Sequence, residues 1–215
     1  LELRKAIVNK LKRDNNLDYK PTQICVANGA KQNIFNVLAA LVNEGDEVIL
    51  PAPYWVSYDE MVKINGGVSV FIETNIDTEF KMTAEQLEAA ITPKTKAVLY
   101  SSPCNPSGSY YTREELEKIA NVMAKYPDVV IISDEIYEFI NYDGEHVSIA
   151  EFPQVFNQTA VINGMSKAFA MTGWRIGYSA CPEWLAKACD KVQGQMTSGA
   201  NTVAQRASIT GLETD

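Results

Sequence analysis

Val129-Val130-Ile131-Ile132-Ser133-Asp134-Glu135-Ile136-Tyr137 opens with four consecutive β-branched aliphatic residues and then turns abruptly polar. A short apolar run without polar alternation reads as a strand over 129–133. A carboxylate at the end of such a strand is costly unless it meets a cation. Asp134 is therefore either a helix N-cap or one half of a charge pair that the strand alone does not supply.

Runs of the same kind recur on both sides, separated by helical periods. Strands are expected over 24–27, 47–50, 68–73, 97–100, 159–163 and 176–180, and helices over 31–42, 55–64 and 84–91. Two more helices are expected, one opened by Thr112 with Glu115 at its capping-box position and one starting near Pro182, a residue tolerated in a first turn. Residues 1–12 read as an amphipathic helix already in progress. This alternation implies an α/β fold: three layers, α/β/α, around a mainly parallel sheet of these seven strands. Ligands of such sheets sit beyond the carboxyl ends of the strands. Standing there are Asn28-Gly29-Ala30, Pro53-Tyr54-Trp55, and residues 102–108, 134–137 and 163–167.

The chain has 215 residues, 46% of them hydrophobic, enough to bury a full core in one domain. A net charge of −8 with no basic run argues against nucleic acid or an acidic membrane as partner. No apolar segment is long enough to span a bilayer, and Leu1-Glu2-Leu3-Arg4-Lys5 is neither a signal nor a transit peptide, so a cytoplasmic location is expected. Cys25, Cys104, Cys181 and Cys189 fall at no ligand-like spacing and His146 is the only histidine, so reduced thiols and no metal are expected. Residue 1 is not methionine and residues 209–215 carry no helix stop signal, which reads as a piece excised from a longer chain.

The chemistry gathers at the strand ends. Ser166-Lys167-Ala168-Phe169-Ala170-Met171-Thr172-Gly173-Trp174-Arg175 sets one amine eight residues before one guanidinium, with no other charge between them. An amine poor in counter-charges condenses with aldehydes, and a guanidinium fork holds phosphate. At the Asn28-Gly29-Ala30 turn the first helix amides favour an anion, to which Arg175 and Ser166 can add contacts. Asp134 would suit a protonated pyridine nitrogen, and Tyr137 and Asn105, the latter fixed between Pro103 and Pro106, could reach a phenolic oxygen on the same ring. Either Tyr54 or Trp55 could stack on that ring.

These motifs together resemble the fold-type I, class I/II aminotransferases that use pyridoxal 5'-phosphate. The resemblance rests on Asn-Pro-Ser-Gly at 105–108, Asp-Glu-Ile-Tyr at 134–137, Ser-Lys at 166–167 and Gly-Trp-Arg-Ile-Gly at 173–177. Pro-Tyr-Trp-Val-Ser-Tyr at 53–58 and the stretch 167–175 look most like the prokaryotic aspartate aminotransferase subgroup. By this resemblance residues 1–215 are the cofactor-binding large domain, without the N-terminal segment and the C-terminal small domain. It implies Lys167 as the Schiff-base lysine, Asp134 as the pyridinium partner, and Asn105 and Tyr137 at the phenolic oxygen; the catalytic set is Lys167, Asp134 and Tyr137. Trp55 becomes the stacking residue, and Gly29, Ala30, Ser166 and Arg175 the phosphate cup. Lys31 and Asn105 are the implied substrate contacts, Lys31 at the distal carboxylate of an acidic substrate, against the alternative of a solvent-facing helix lysine.

Cys104 and Ser107 depart from the family's usual asparagine and threonine, both small polar exchanges. The implied reaction moves an amino group between an amino acid, aspartate or another acidic one, and a 2-oxo acid such as 2-oxoglutarate, in a homodimer. An alanine, aromatic or kynurenine-type aminotransferase, a β-lyase, a ligand-sensing domain of a transcription regulator and a cofactor-free structural domain are the alternatives that the residues leave open.

Overall fold

In the computed structural model, which describes residues 1–142 and 144–214, the aliphatic runs pair into one seven-stranded sheet of order β1-β7-β6-β5-β4-β2-β3. The strands are β1 (Ile24–Ala27), β2 (Glu47–Ala52), β3 (Val68–Glu73), β4 (Thr95–Ser101), β5 (Val130–Asp134), β6 (Thr159–Gly164) and β7 (Gly177–Ala180). Among the described residues seven α-helices accompany them: α1 (Glu2–Asn15), α2 (Ala30–Leu41), α3 (Ser57–Ile64), α4 (Ala84–Ala90), α5 (Arg113–Met123), α6 (Glu183–Met196) and α7 (Thr202–Glu213). The expected strands are all present.

Period-two geometry explains why these runs need cover on both faces. In β4 and β5, Val98 and Ile131 pack into a cluster with Leu87, Leu116 and Ile119, whereas their neighbours Leu99 and Ile132 pack into another with Ile34, Leu38 and Leu185. A third cluster joins Ile7 and Leu11 of α1 to Ile24, Val161 and Leu212. Each fully buried aliphatic side chain contributes about 1.5–3 kcal/mol.

The sheet is mainly parallel, with one reversal that matters for the site. β7 runs antiparallel to both β6 and β1, so Gly177 at its start lies opposite Gly164 at the end of β6 and Ala27 at the end of β1. Residues just before β7 thus reach the same sheet edge as residues just after the parallel strands.

The local signals behave unevenly. Thr112 and Glu115 form the reciprocal capping box ahead of α5, at 3.3 and 2.8 Å. Pro182 is the N-cap of α6 and not a first-turn residue, and α3 starts at Ser57, two positions later than the apolar period suggested. Helix α7 was not anticipated. Its start is marked by Asn201, whose side chain accepts the Ala204 amide at 3.0 Å, but few apolar residues follow. Asp215 lies outside the described residues.

Cys25, Cys181 and Cys189 are buried and Cys104 is partly so, all as free thiols. Among the described residues, no helix is long and apolar enough to cross a membrane.

Candidate functional site

The segments after β1, β2, β4 and β5 and the single loop from β6 to β7 enclose a cavity of about 210 Å³ at the carboxyl edge of the sheet. Of the residues singled out from the sequence, Ala30, Lys31, Trp55, Asn105, Asp134, Tyr137, Ser166, Lys167 and Arg175 all line it. Gly29 does not line it; it stands directly behind.

Gly29 is the N-cap of α2 at φ 90°, a conformation suited to glycine. A Cβ there would fall 2.3 Å from Nη2 of Arg175, so the missing side chain is the space that the guanidinium occupies. Arg175 donates to the Thr172 carbonyl at 2.8 Å, the Asn28 carbonyl at 3.3 Å and Ser166 Oγ at 3.5 Å. No carboxylate pairs with it among the described residues. A cation held by neutral groups beside the uncapped amino end of a helix is built for an anion.

At the opposite end stands Asp134, the last residue of β5, only 4% exposed. Its Oδ2 accepts from the Tyr58 hydroxyl at 2.6 Å and its Oδ1 from the Ile136 amide at 3.3 Å. Burial pushes its pKa up to about 6, against the pull of the Tyr58 and Ile136 hydrogen bonds and of the Lys167 charge. The residues after it form a turn and not a helix, which removes the N-cap reading. Thus a buried acid faces the cavity, and among the described residues no cation pairs with it.

Lys167 is exposed toward the cavity, its Nζ 5.3 Å from the centroid of the Tyr137 ring. It makes no ion pair with Asp134 or with any other described carboxylate. One unpaired cation and one unpaired buried acid on a single small cavity leave room between them for a ligand that answers both. Its volume is below the roughly 300–1,000 Å³ of drug-sized pockets and suits one small, flat molecule.

The two aromatics take different positions. Tyr54 stacks on Phe71 of the edge strand β3, with centroids 5.3 Å apart, whereas Trp55 faces the cavity. Trp55 meets Tyr58 edge-on at 5.6 Å, and the Lys31 ammonium lies 4.7 Å over the Trp55 ring. Lys31 is therefore held at the rim.

Tyr58, Ser101, Ile136 and Thr172 also line the cavity and were not foreseen. Tyr58 had a readable signal: it lies three residues after Trp55, close to one helical turn on, so that a helix starting there brings the two side chains together. Its partner Asp134, 76 residues away, could not be read from spacing.

Comparison with known proteins meets this geometry from another side. The family model described as aminotransferase class I and II matches residues 1–215. A probable aspartate/prephenate aminotransferase of Rhizobium leguminosarum bv. phaseoli is 50% identical over 213 residues, covering 98% of this chain and 53% of that protein. An aspartate aminotransferase of Bacillus sp. (strain YM-2) is 52% identical over 209 residues, covering 96% and 53%. Among solved structures, the aspartate aminotransferase from Rhizobium meliloti matches with a TM-score of 0.98 at 46% identity, covering 100% of this chain and 54% of that one. The chain spans about half the length of the curated relatives it matches. With a full-length family match, relatives near half identity and the same sheet, the chain belongs to the class I and II aminotransferases.

Proposed function

We propose that the cavity holds pyridoxal 5'-phosphate and that the protein moves an amino group between an acidic amino acid, aspartate foremost, and a 2-oxo acid such as 2-oxoglutarate. The observation that carries this reading is the pair of unpartnered opposite charges, Lys167 and Asp134, on one cavity whose far side holds Arg175 at the start of α2. When bound, the cofactor supplies an electron sink for the substrate's α carbon.

The chain's own residues have separable tasks. Lys167 would supply the amine that holds the cofactor's aldehyde and would serve as the proton carrier at the substrate's α carbon. Asp134, steadied by Tyr58, would hold the cofactor's ring nitrogen and favour its protonated form. Tyr137 and Asn105, which line the cavity, would meet the phenolic oxygen, and Trp55 would cover the ring. Arg175, Ser166 and the first amides of α2, with Gly29 and Ala30 at their start, take the phosphate.

Lys31 and Asn105 are the substrate contacts within this chain, with Lys31 placed at the rim to meet a distal carboxylate. We place residues 1–215 as the cofactor-binding domain of the whole protein, acting in the cytoplasm as a homodimer.

The test is an assay of the full-length protein with aspartate and 2-oxoglutarate, beside alanine, tyrosine and kynurenine as donors and prephenate as an acceptor. Prephenate is included because a relative's name carries it. Turnover fastest with aspartate supports the reading; turnover confined to alanine, tyrosine or kynurenine would replace the substrate class while leaving the cofactor assignment intact.

A further inference from the structure

Behind the cavity wall lies a buried ionic cluster that none of the foregoing uses. Glu135, Glu138 and His146 bring ligand-type atoms within 4.8 Å of one another. They do not make a metal site, because every carboxylate oxygen is already engaged. Glu138 takes the Lys10 ammonium on Oε1 and the Asn15 amide on Oε2 at 3.0 Å, while Lys10 also donates to Asn15 Oδ1 at 2.7 Å. Glu135 accepts from Ser133 and Ser148 at 2.9 and 2.7 Å on Oε1 and meets His146 Nε2 at 3.1 Å on Oε2. The chain supplies its own cation, Lys10, to this cluster.

That cation comes from far away. Lys10 lies on α1, 128 residues from Glu138, and its side chain is only 1% exposed. An ammonium buried this deeply is expensive unless the position is needed. What it holds is the turn after Asp134. Glu135 and Glu138 are joined by a backbone bond of 3.0 Å, Tyr137 and Ile140 by one of 2.8 Å, and the Glu135 amide is tied to Ile162 of β6 at 2.8 Å. Phe139, next along the turn, lies 4.9 Å under the Lys10 ammonium and meets Phe169 edge-on at 6.1 Å, two residues past Lys167.

Between these anchors stands Tyr137. Its hydroxyl makes no hydrogen bond among the described residues, so its direction is imposed by its neighbours. We propose that Lys10, through its ion pair with Glu138 and its contact with Phe139, is a positioning residue for the active site: it fixes the turn that aims Tyr137 and braces the Lys167 loop. Lys10 touches no substrate or cofactor. It acts from helix α1 through the turn, in a field that also contains Asp14, His146 and Tyr178.

This proposal rests on the cofactor reading above, and its test separates the two. A Tyr137 hydroxyl donated to the phenolic oxygen stabilises negative charge there and weakens the hold on the proton shared beside it. Loosening the turn should therefore raise the pH at which the bound cofactor's visible absorbance changes. The experiment titrates that absorbance in full-length protein loaded with pyridoxal phosphate, comparing the native sequence with Lys10→Met and with the paired Lys10→Met/Glu138→Gln. The single variant leaves Glu138 buried and unpaired; the paired variant leaves no stranded charge and keeps the test open if the single one fails to fold.

The expected result is a midpoint raised by at least about half a pH unit in the paired variant. An unchanged midpoint with lowered thermal stability overturns the proposal, as does failure of the paired variant to fold, since either makes the ion pair a stability element alone. Absence of a visible band in the native protein would instead strike at the cofactor reading, before any variant is compared.

Discussion

Asp134 shows how much one residue's surroundings decide. A carboxyl at the end of β5 is buried without a cation, and burial lifts its pKa to about 6, so the folded chain without cofactor holds that proton more tightly than the unfolded chain does. The stabilisation is full below the ordinary carboxylate range and is lost as pH rises through about 6. Cofactor-free Asp134→Asn should therefore be more stable than the native protein at neutral pH, by up to about 3 kcal/mol. The difference should shrink as pH falls from 7 to 4, measured by urea unfolding; a gap independent of pH would show that the carboxyl is not strained in this way.

The residues legible in the sequence were those whose type and local setting pointed to chemistry: Lys167 and Arg175 in a stretch free of other charges, Asp134 closing an aliphatic strand, Gly29 at a strand-to-helix turn. Tyr58 was hidden because its meaning depends on Asp134, brought to it only by the sheet. Gly29 is read from the sequence as part of a phosphate cup, and the structure adds that its missing side chain makes room for Arg175.

Among the elements, the reversal of β7 is the decisive feature. It brings Arg175 to the same edge as the end of β1, and it demands that the start of β7 pass against the start of α2. A Cβ on Gly177 would stand 2.1 Å from the Ala30 amide nitrogen, which only a backbone shift relieves. Gly177→Ala is expected to cost at least about 2 kcal/mol in urea unfolding and to weaken phosphate-dependent cofactor binding with it. Native stability with an alanine there would show that the two elements are not packed as described.

Strand existence was readable because uninterrupted aliphatic runs have few other uses. Strand direction was not, since a four-residue strand looks the same either way. Helix α7 escaped for a related reason. Its buried residues Ala204, Ser208 and Leu212 fall four apart on one face, but one is polar and one is only an alanine, so the apolar stripe that marks α5 is faint.

For the whole molecule, one cavity assembled from five segments of one sheet brings Lys167 and Asp134 together, and the cofactor proposed to occupy it would be joined to Lys167. The family explains the fold, and the unpaired charges explain why the fold leaves a space there. The most direct measurement is borohydride reduction of the full-length protein loaded with pyridoxal phosphate, followed by mass spectrometry of its peptides. The account predicts a pyridoxyl group on Lys167 and none on Lys167→Ala, which should also lose the visible band. A stable label on Lys31 or another lysine, with Lys167 unmodified, would contradict it.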